Sequence, residues 1–227
     1  MTRIVTNLQA VRERVAEAAR ASGRSPDEVR IVAVSKTFPA ESVSEAASAG
    51  QHSFGENYVQ EGVAKIATLS DSSLDWHFIG PLQSNKTRPV ATNFSWVHAI
   101  EREKIARRLS EQRDAHLPPL NVCLQVNVSG EASKSGVEPD EVEALADAVA
   151  GLPGLRLRGL MCIPEPSSDS DLLRRRFACL RELGERLDAN GHGVDTLSMG
   201  MSDDFETAIR EGSTLVRVGS AIFGARA

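Results

Sequence analysis

Lysine is scarce in this chain, with five against 21 arginines. One of the five, Lys36, directly continues the apolar run Ile31-Val32-Ala33-Val34-Ser35. An amine held at the end of a packed strand is partly desolvated, which lowers its pKa and frees its lone pair for Schiff-base chemistry. The plain alternative is an exposed lysine that ends a strand by chance. Two further segments suit an anion: Ser198-Met199-Gly200-Met201-Ser202-Asp203-Asp204 and Arg217-Val218-Gly219-Ser220. Their glycines let backbone N–H groups approach a phosphate, and the Ser198 and Ser220 hydroxyls can donate to it. Taken singly, Gly200 and Gly219 are explained by tight turns. Arg217 lies inside Leu215-Val216-Arg217-Val218, a run that reads as a buried strand, which disfavours an ordinary surface ion pair. A Schiff-base lysine with a phosphate site suggests a phosphate cofactor bearing an aldehyde. Arg217 would then reach its ring nitrogen and keep that atom unprotonated, weakening the ring as an electron sink.

These residues need elements to position them. Leu8, Val11, Val15 and Ala18/Ala19 recur at helical spacing, and Gly23 stops that first helix. Eight short apolar runs follow: 31–35, 52–55, 76–80, 96–99, 120–128, 158–163, 196–199 and 215–218. Amphipathic helical patterns separate them. Pro39 and Pro139 stand where a first helical residue belongs. Gly50 and Gly151 close helices, and Ser202 with Asp203 and Asp204 reads as a helix cap. The pattern over 171–189 is a clean apolar stripe ending at Asn190-Gly191.

Strict strand–helix alternation implies parallel strands with right-handed crossovers, and eight units in about 200 residues is the size of a compact TIM barrel. The expected fold is therefore α/β: a single-domain (β/α)8 TIM barrel over residues 1–227, with an extra N-terminal helix. A doubly wound open sheet is the alternative, but no glycine-rich G-x-G-x-x-G follows the first strand. In a barrel the site lies at the C-terminal strand ends. That rule selects Ser35–Thr37, Glu56–Tyr58, His77, Asn127 with the 129–136 loop, Ser198–Asp203 and Arg217–Ser220. His77 points into the barrel or outwards according to a register that the sequence leaves open.

Composition excludes several classes. The net charge is −5 with no basic stripe, which argues against nucleic acid. Arg174, Arg175 and Arg176 read as a solvated helix face. No run of about 18 apolar residues is present, and the N-terminal residues lack a signal-peptide core. Cys123, Cys162 and Cys179 show no C-x-x-C spacing, and Cys123 and Cys162 read as buried thiols in a cytoplasmic protein. His52, His77, His98, His116 and His192 show no metal-ligand spacing, so no metal is expected.

At Val32–Lys36, Phe54–Glu61, Trp76–Lys86, Arg158–Met161, Leu197–Asp204 and Arg217–Gly224 the chain resembles the pyridoxal phosphate homeostasis protein family. The resemblance spans nearly the whole chain. It implies a barrel similar to the N-terminal domain of alanine racemase and a role in vitamin B6 homeostasis. It implies pyridoxal 5′-phosphate (PLP) bound covalently to Lys36 as an aldimine, with its phosphate around Ser198, Met199, Gly200, Gly219 and Ser220. It further places Arg217 at the ring nitrogen and Asn57 and His77 near the cofactor. Many relatives carry threonine where Ser220 stands. The resembling racemases draw a second acid–base tyrosine from a C-terminal β-domain. This chain ends at Ala227, past the eighth unit, and its one tyrosine, Tyr58, lies elsewhere. The expectation is a monomeric carrier that hands PLP to apo-enzymes. A small PLP enzyme such as a racemase is the alternative. Lys134, in the loop after the fifth strand, is a candidate second amine for the aldehyde, and a plain surface lysine otherwise.

Overall fold

The computed structural model describes residues 2–131 and 135–225. Eight parallel strands alternate with helices and close into a barrel in the order β1 to β8. The strands are β1 (Arg30–Val34), β2 (Ser53–Glu56), β3 (Asp75–Phe78), β4 (Trp96–Ile100), β5 (Leu120–Gln125), β6 (Leu155–Met161), β7 (Thr196–Ser198) and β8 (Leu215–Val218). Closure is made by β1 on β8, with Arg30 opposite Leu215 and Ala33 opposite Val218. The short runs at 52–55 and 96–99 carry little apolar signal, yet both become strands because ladder pairing on two sides buries them.

The extra helix α1 (Arg3–Ala21) buries Leu8, Val11, Val15, Ala18 and Ala19, the stripe expected from spacing. It lies against α2 (Ala40–Ser48), α8 (Phe205–Arg210) and the short α9 (Ser220–Phe223). Between them the crossovers are α3 (Val59–Leu69), α4 (Thr87–Asn93), α5 (Glu103–Gln112), α6 (Val142–Ala150) and α7 (Ser170–Ala189). The main apolar core fills the layer between strands and helices. A separate cluster of Trp96, Ala99, Cys123 and Met161 sits apart from it.

The structure corrects four local expectations. The fifth strand stops at Gln125 rather than 128, because Asn127 turns its amide onto Glu131 O and Glu138 and the chain doubles back to an isolated bridge, Val126 to Val137. Pro139 belongs to a turn, and α6 starts three residues later at Val142. Ser202 does not cap α8: Asp204 precedes the helix and accepts the Met201 N–H at 2.6 Å. Of the three arginines expected to be solvated, Arg176 is buried, donating to Glu165 O at 2.9 Å.

Candidate functional site

The C-terminal mouth of the barrel gathers two buried polar networks, one between the β1 and β2 ends and α3, the other crossing the lumen. On the first side, β1 delivers Ser35 and Lys36 into a turn. Lys36 is half-buried there, and the next residue, Thr37, has φ +68°. A β-branched residue in that region costs about 1–3 kcal/mol and persists only where its surroundings impose it. Beneath the turn Glu56, at the end of β2, is fully buried and accepts the Ser35 hydroxyl at 2.7 Å. Lys65 of α3, also buried, pairs with Glu56 and with Glu61 at 2.7 Å each. Burial pushes the Glu56 carboxyl above its usual range, against the lowering effect of Lys65 and Ser35.

On the other side, Arg217 rises from β8 and is only 4% exposed. Its Nη1 donates to Ser198 O and to Ser198 Oγ, each at 2.6 Å, and its Nη2 donates to Cys162 O at 2.8 Å. No carboxylate among the described residues forms an ion pair with it. Asp204 is the carboxylate whose field acts on it, and that carboxyl is itself pushed up by burial. Since a guanidinium presents five N–H groups, two remain to be directed at a ligand.

Ser198 continues the network. Its Oγ meets His98 Nδ1 at 2.8 Å, and His98 Nε2 meets His77 Nδ1 at 2.9 Å. His98 is on β4 and Ser198 on β7, strands that are not neighbours, so this contact crosses the lumen. Arg217 can only donate, so the Ser198 oxygen accepts from it and gives its own proton to His98 Nδ1. His98 Nε2–H then donates to His77 Nδ1, and the proton of His77 rests on Nε2. That atom is buried and has no acceptor among the described residues. The reverse polarity strands the Ser198 hydroxyl proton instead and leaves His77 Nε2 unpaired as well. Both imidazoles are neutral: burial, with Arg30 second, takes His77 down to about 3, and burial, then His77 and Arg217, takes His98 well down.

The phosphate-type segments flank Arg217. Gly200 has φ +96°, and a Cβ there would stand 2.7 Å from Ala208 Cβ and 2.9 Å from Phe205 Cα. Glycine is therefore required, and it draws the turn onto α8 so that Gly200 O can accept the Arg217 N–H at 2.9 Å. Gly219 lies against the β1 end, where an added Cβ would be 3.3 Å from Val34 O. This brings the β8 turn beside the turn that carries Lys36. Met199 is wholly buried, its N–H given to Leu215 O, so its side chain belongs to the core. Ser220 opens α9 at the same mouth. Asn57 follows β2 with its Oδ1 buried and unpartnered. Beside it opens a cleft of about 410 Å³ that includes Tyr58, Phe78, Gln83 and Lys86. His77 sits deeper than the mouth, stacked on Trp96 at 5.3 Å between ring centroids. Lys134 lies outside the described residues.

The structure thus brings Lys36, Ser198, Gly200, Arg217, Gly219 and Ser220 to one end of the barrel, and it puts His77 two hydrogen bonds below Ser198. Three participants escaped the sequence reading. Glu61 and Lys65 have the i,i+4 spacing of an ordinary surface pair, and His98 differs from other strand residues only in its register to His77. The polar groups suit a phosphorylated pyridine aldehyde: a buried cation with no carboxylate ion pair among the described residues, a glycine turn that tolerates no Cβ, and an orphaned Asn57 oxygen able to accept.

The model of the alanine racemase N-terminal domain matches residues 6–227. The pyridoxal phosphate homeostasis protein of Pseudomonas aeruginosa is 62% identical over 226 residues, covering 100% of this chain and 97% of that protein. Its counterpart from Escherichia coli K12 is 54% identical over 232 residues, covering 100% and 98%. Among solved structures, PipY of Synechococcus elongatus, with PLP bound, superposes at a TM-score of 0.81 with 36% identity, covering 92% of this chain and 100% of that one. Alanine racemase of Corynebacterium glutamicum superposes at 0.73 with 17% identity, covering 96% and 62%, and that likeness is one of fold alone. Full-length identity to the bacterial proteins, on a barrel of the racemase type, assigns this chain to the pyridoxal phosphate homeostasis protein family.

Proposed function

We propose that this chain binds PLP at the barrel mouth and serves intracellular PLP homeostasis by holding the cofactor covalently on Lys36. The observation that carries the reading is Arg217: a buried guanidinium with no carboxylate partner, next to the glycine turn at 200 and the turn that presents Lys36. A buried cation is stable only when its charge is answered, and a phosphate or a pyridine lone pair answers it. Bound PLP supplies a reactive aldehyde on a ring able to take up electrons. The Lys36 amine condenses with that aldehyde carbon: a C=N bond forms and the oxygen leaves as water. Water reverses the step and releases the cargo. Ser198, Gly200, Gly219 and Ser220 cradle the phosphate, Arg217 faces the ring nitrogen, and Asn57 lies alongside. His77 acts from below, through His98 and Ser198.

The site serves carriage rather than turnover. Racemisation needs an acid–base group on each face of the substrate. Besides Lys36, the described residues of the mouth offer Tyr58, which is 57% exposed. The same reading takes residues 1–227 as one PLP-binding domain that works in the cytoplasm as a monomer, with apo-enzymes as recipients and Lys134 as a second amine for transfer.

The test is the absorbance spectrum of PLP-loaded protein before and after borohydride. A band in the visible region that borohydride abolishes, and that Lys36→Ala lacks, is the expected result. An unchanged band in Lys36→Ala removes the reading. Amino-acid Cα–H exchange in D2O tests carriage: rapid multiple-turnover exchange favours the small-enzyme alternative.

A further inference from the structure

Lys36 is followed by a residue in the left-handed region. Thr37 is held at φ +68°, and one buried ammonium does much of the holding. Lys65 donates to Ser35 O, Glu56 Oε1 and Glu61 Oε1, each at 2.7 Å, so all three of its protons are used. Glu61 Oε1 also accepts the Thr37 N–H at 2.6 Å, and Glu56 Oε1 accepts the Ser35 hydroxyl at 2.7 Å. Ser35 O takes the Phe38 N–H at 3.0 Å as well, which closes the turn. The residues on both sides of Lys36 are therefore tied to a single cation that reaches in from α3.

A buried ion cluster adds little net stability compared with well-packed apolar residues of the same volume, and its best-attested use is to fix one arrangement. We propose that Lys65, Glu56 and Glu61 are positioning residues that hold the 35–37 turn and so set where the Lys36 amine meets the aldehyde. This rests on the reading of Lys36 as the covalent carrier. It also separates two neighbouring lysines by role. An ammonium donating three hydrogen bonds has no lone pair for a carbonyl, so Lys65 holds the turn rather than reacting.

Glu61→Ala tests the clamp, because Glu61 is partly exposed and its loss leaves Lys65 paired with Glu56. Two quantities are measured on the full chain. The dissociation constant of 4-deoxypyridoxine 5′-phosphate, which lacks the aldehyde, reports the pocket alone. The rate of PLP capture is read as borohydride-fixed label on the Lys36 peptide by mass spectrometry. The expected result is affinity for the deoxy compound within about twofold and capture slowed about tenfold, because misplacing a reacting group by about 1 Å costs up to about 100-fold. Glu61→Gln, which keeps an acceptor for Thr37, retains most of the rate. Adding Thr37→Gly to Glu61→Ala recovers part of it, since glycine sits at positive φ without cost. Unchanged capture in Glu61→Ala, or equal losses of affinity and capture, overturns the clamp. Label missing from Lys36 in the unaltered protein overturns the carrier reading itself.

Discussion

The two sides of the barrel mouth bury a cation in opposite ways. Lys65 is met by two carboxylates and a carbonyl, so the network is complete within the chain. Arg217 is met only by two carbonyls and a hydroxyl, in line with two neutral imidazoles, and it forms no ion pair with a carboxylate among the described residues, Asp204 acting on it only through its field. A closed network rigidifies, whereas an open one waits for a partner. The difference assigns structure to the first side and ligand recognition to the second.

The largest effect expected from breaking this contrast comes from removing each cation in turn. Lys65→Met strands the Glu56 carboxylate in the interior and costs about 3–5 kcal/mol, a fall in Tm of roughly 10 °C for a chain of this size. Arg217→Met orphans the Cys162 carbonyl, while Ser198 O keeps the Cys162 N–H at 3.3 Å; it also removes a charge that forms no ion pair among the described residues, and it costs at most about 2 kcal/mol. Its main effect is on the ligand: affinity for PLP falls by tenfold or more, by about 1.4 kcal/mol for each factor of ten. Calorimetry of the apo proteins and fluorescence titration with PLP separate the two. Equal destabilisation by both variants would erase the contrast.

Strand–helix alternation, the α1 stripe and the placement of Lys36 and Arg217 at strand ends were legible because they depend on local pattern alone. Partners were not. The i,i+4 pair Glu61–Lys65 looks solvated until α3 is laid against the β1 turn, and the His98–Ser198 contact exists only once the sheet closes. The end of the fifth strand and the start of α6 were misplaced for a related reason: Asn127 and Pro139 take part in a loop whose shape depends on its return to Gln125. His77 shows the limit of the strand-end rule, which finds the right strand and leaves the depth of the side chain undecided.

A smaller, sharper break is Gly200→Ala. The new methyl would meet Ala208 and Phe205 below 3 Å at a backbone angle of +96°, for a loss of about 1–3 kcal/mol. The displaced turn would also loosen the Gly200 O to Arg217 N bond. Its expected signature is the reverse of that from Glu61→Ala: weaker binding of the deoxy compound, with capture per bound PLP molecule unchanged. If the two substitutions gave the same pattern, the division between a clamp on one side and a cradle on the other would fail.

Acid distinguishes the networks with the least perturbation. His77 has a folded pKa near 3 against about 6.5 unfolded, so the unfolded chain binds the proton first as pH falls. Its contribution is therefore full above pH about 6.5 and declines below it, by about 2 kcal/mol at pH 5. His98 is shifted in the same direction by burial and adds to the loss. Glu56 has the opposite sign: its raised pKa makes the folded state the better proton acceptor, so acidification towards 4.5 favours folding on that side. Between pH 6.5 and 5 the imidazoles dominate, and urea melts should show stability falling across that window. In His77→Gln/His98→Gln the glutamines can still hydrogen-bond but cannot titrate, so the slope in that window should flatten. A double variant with the wild-type slope would mean that the relay does not stay neutral, and the direction of the hydrogen bonds from Arg217 to His77 would have to be reassigned.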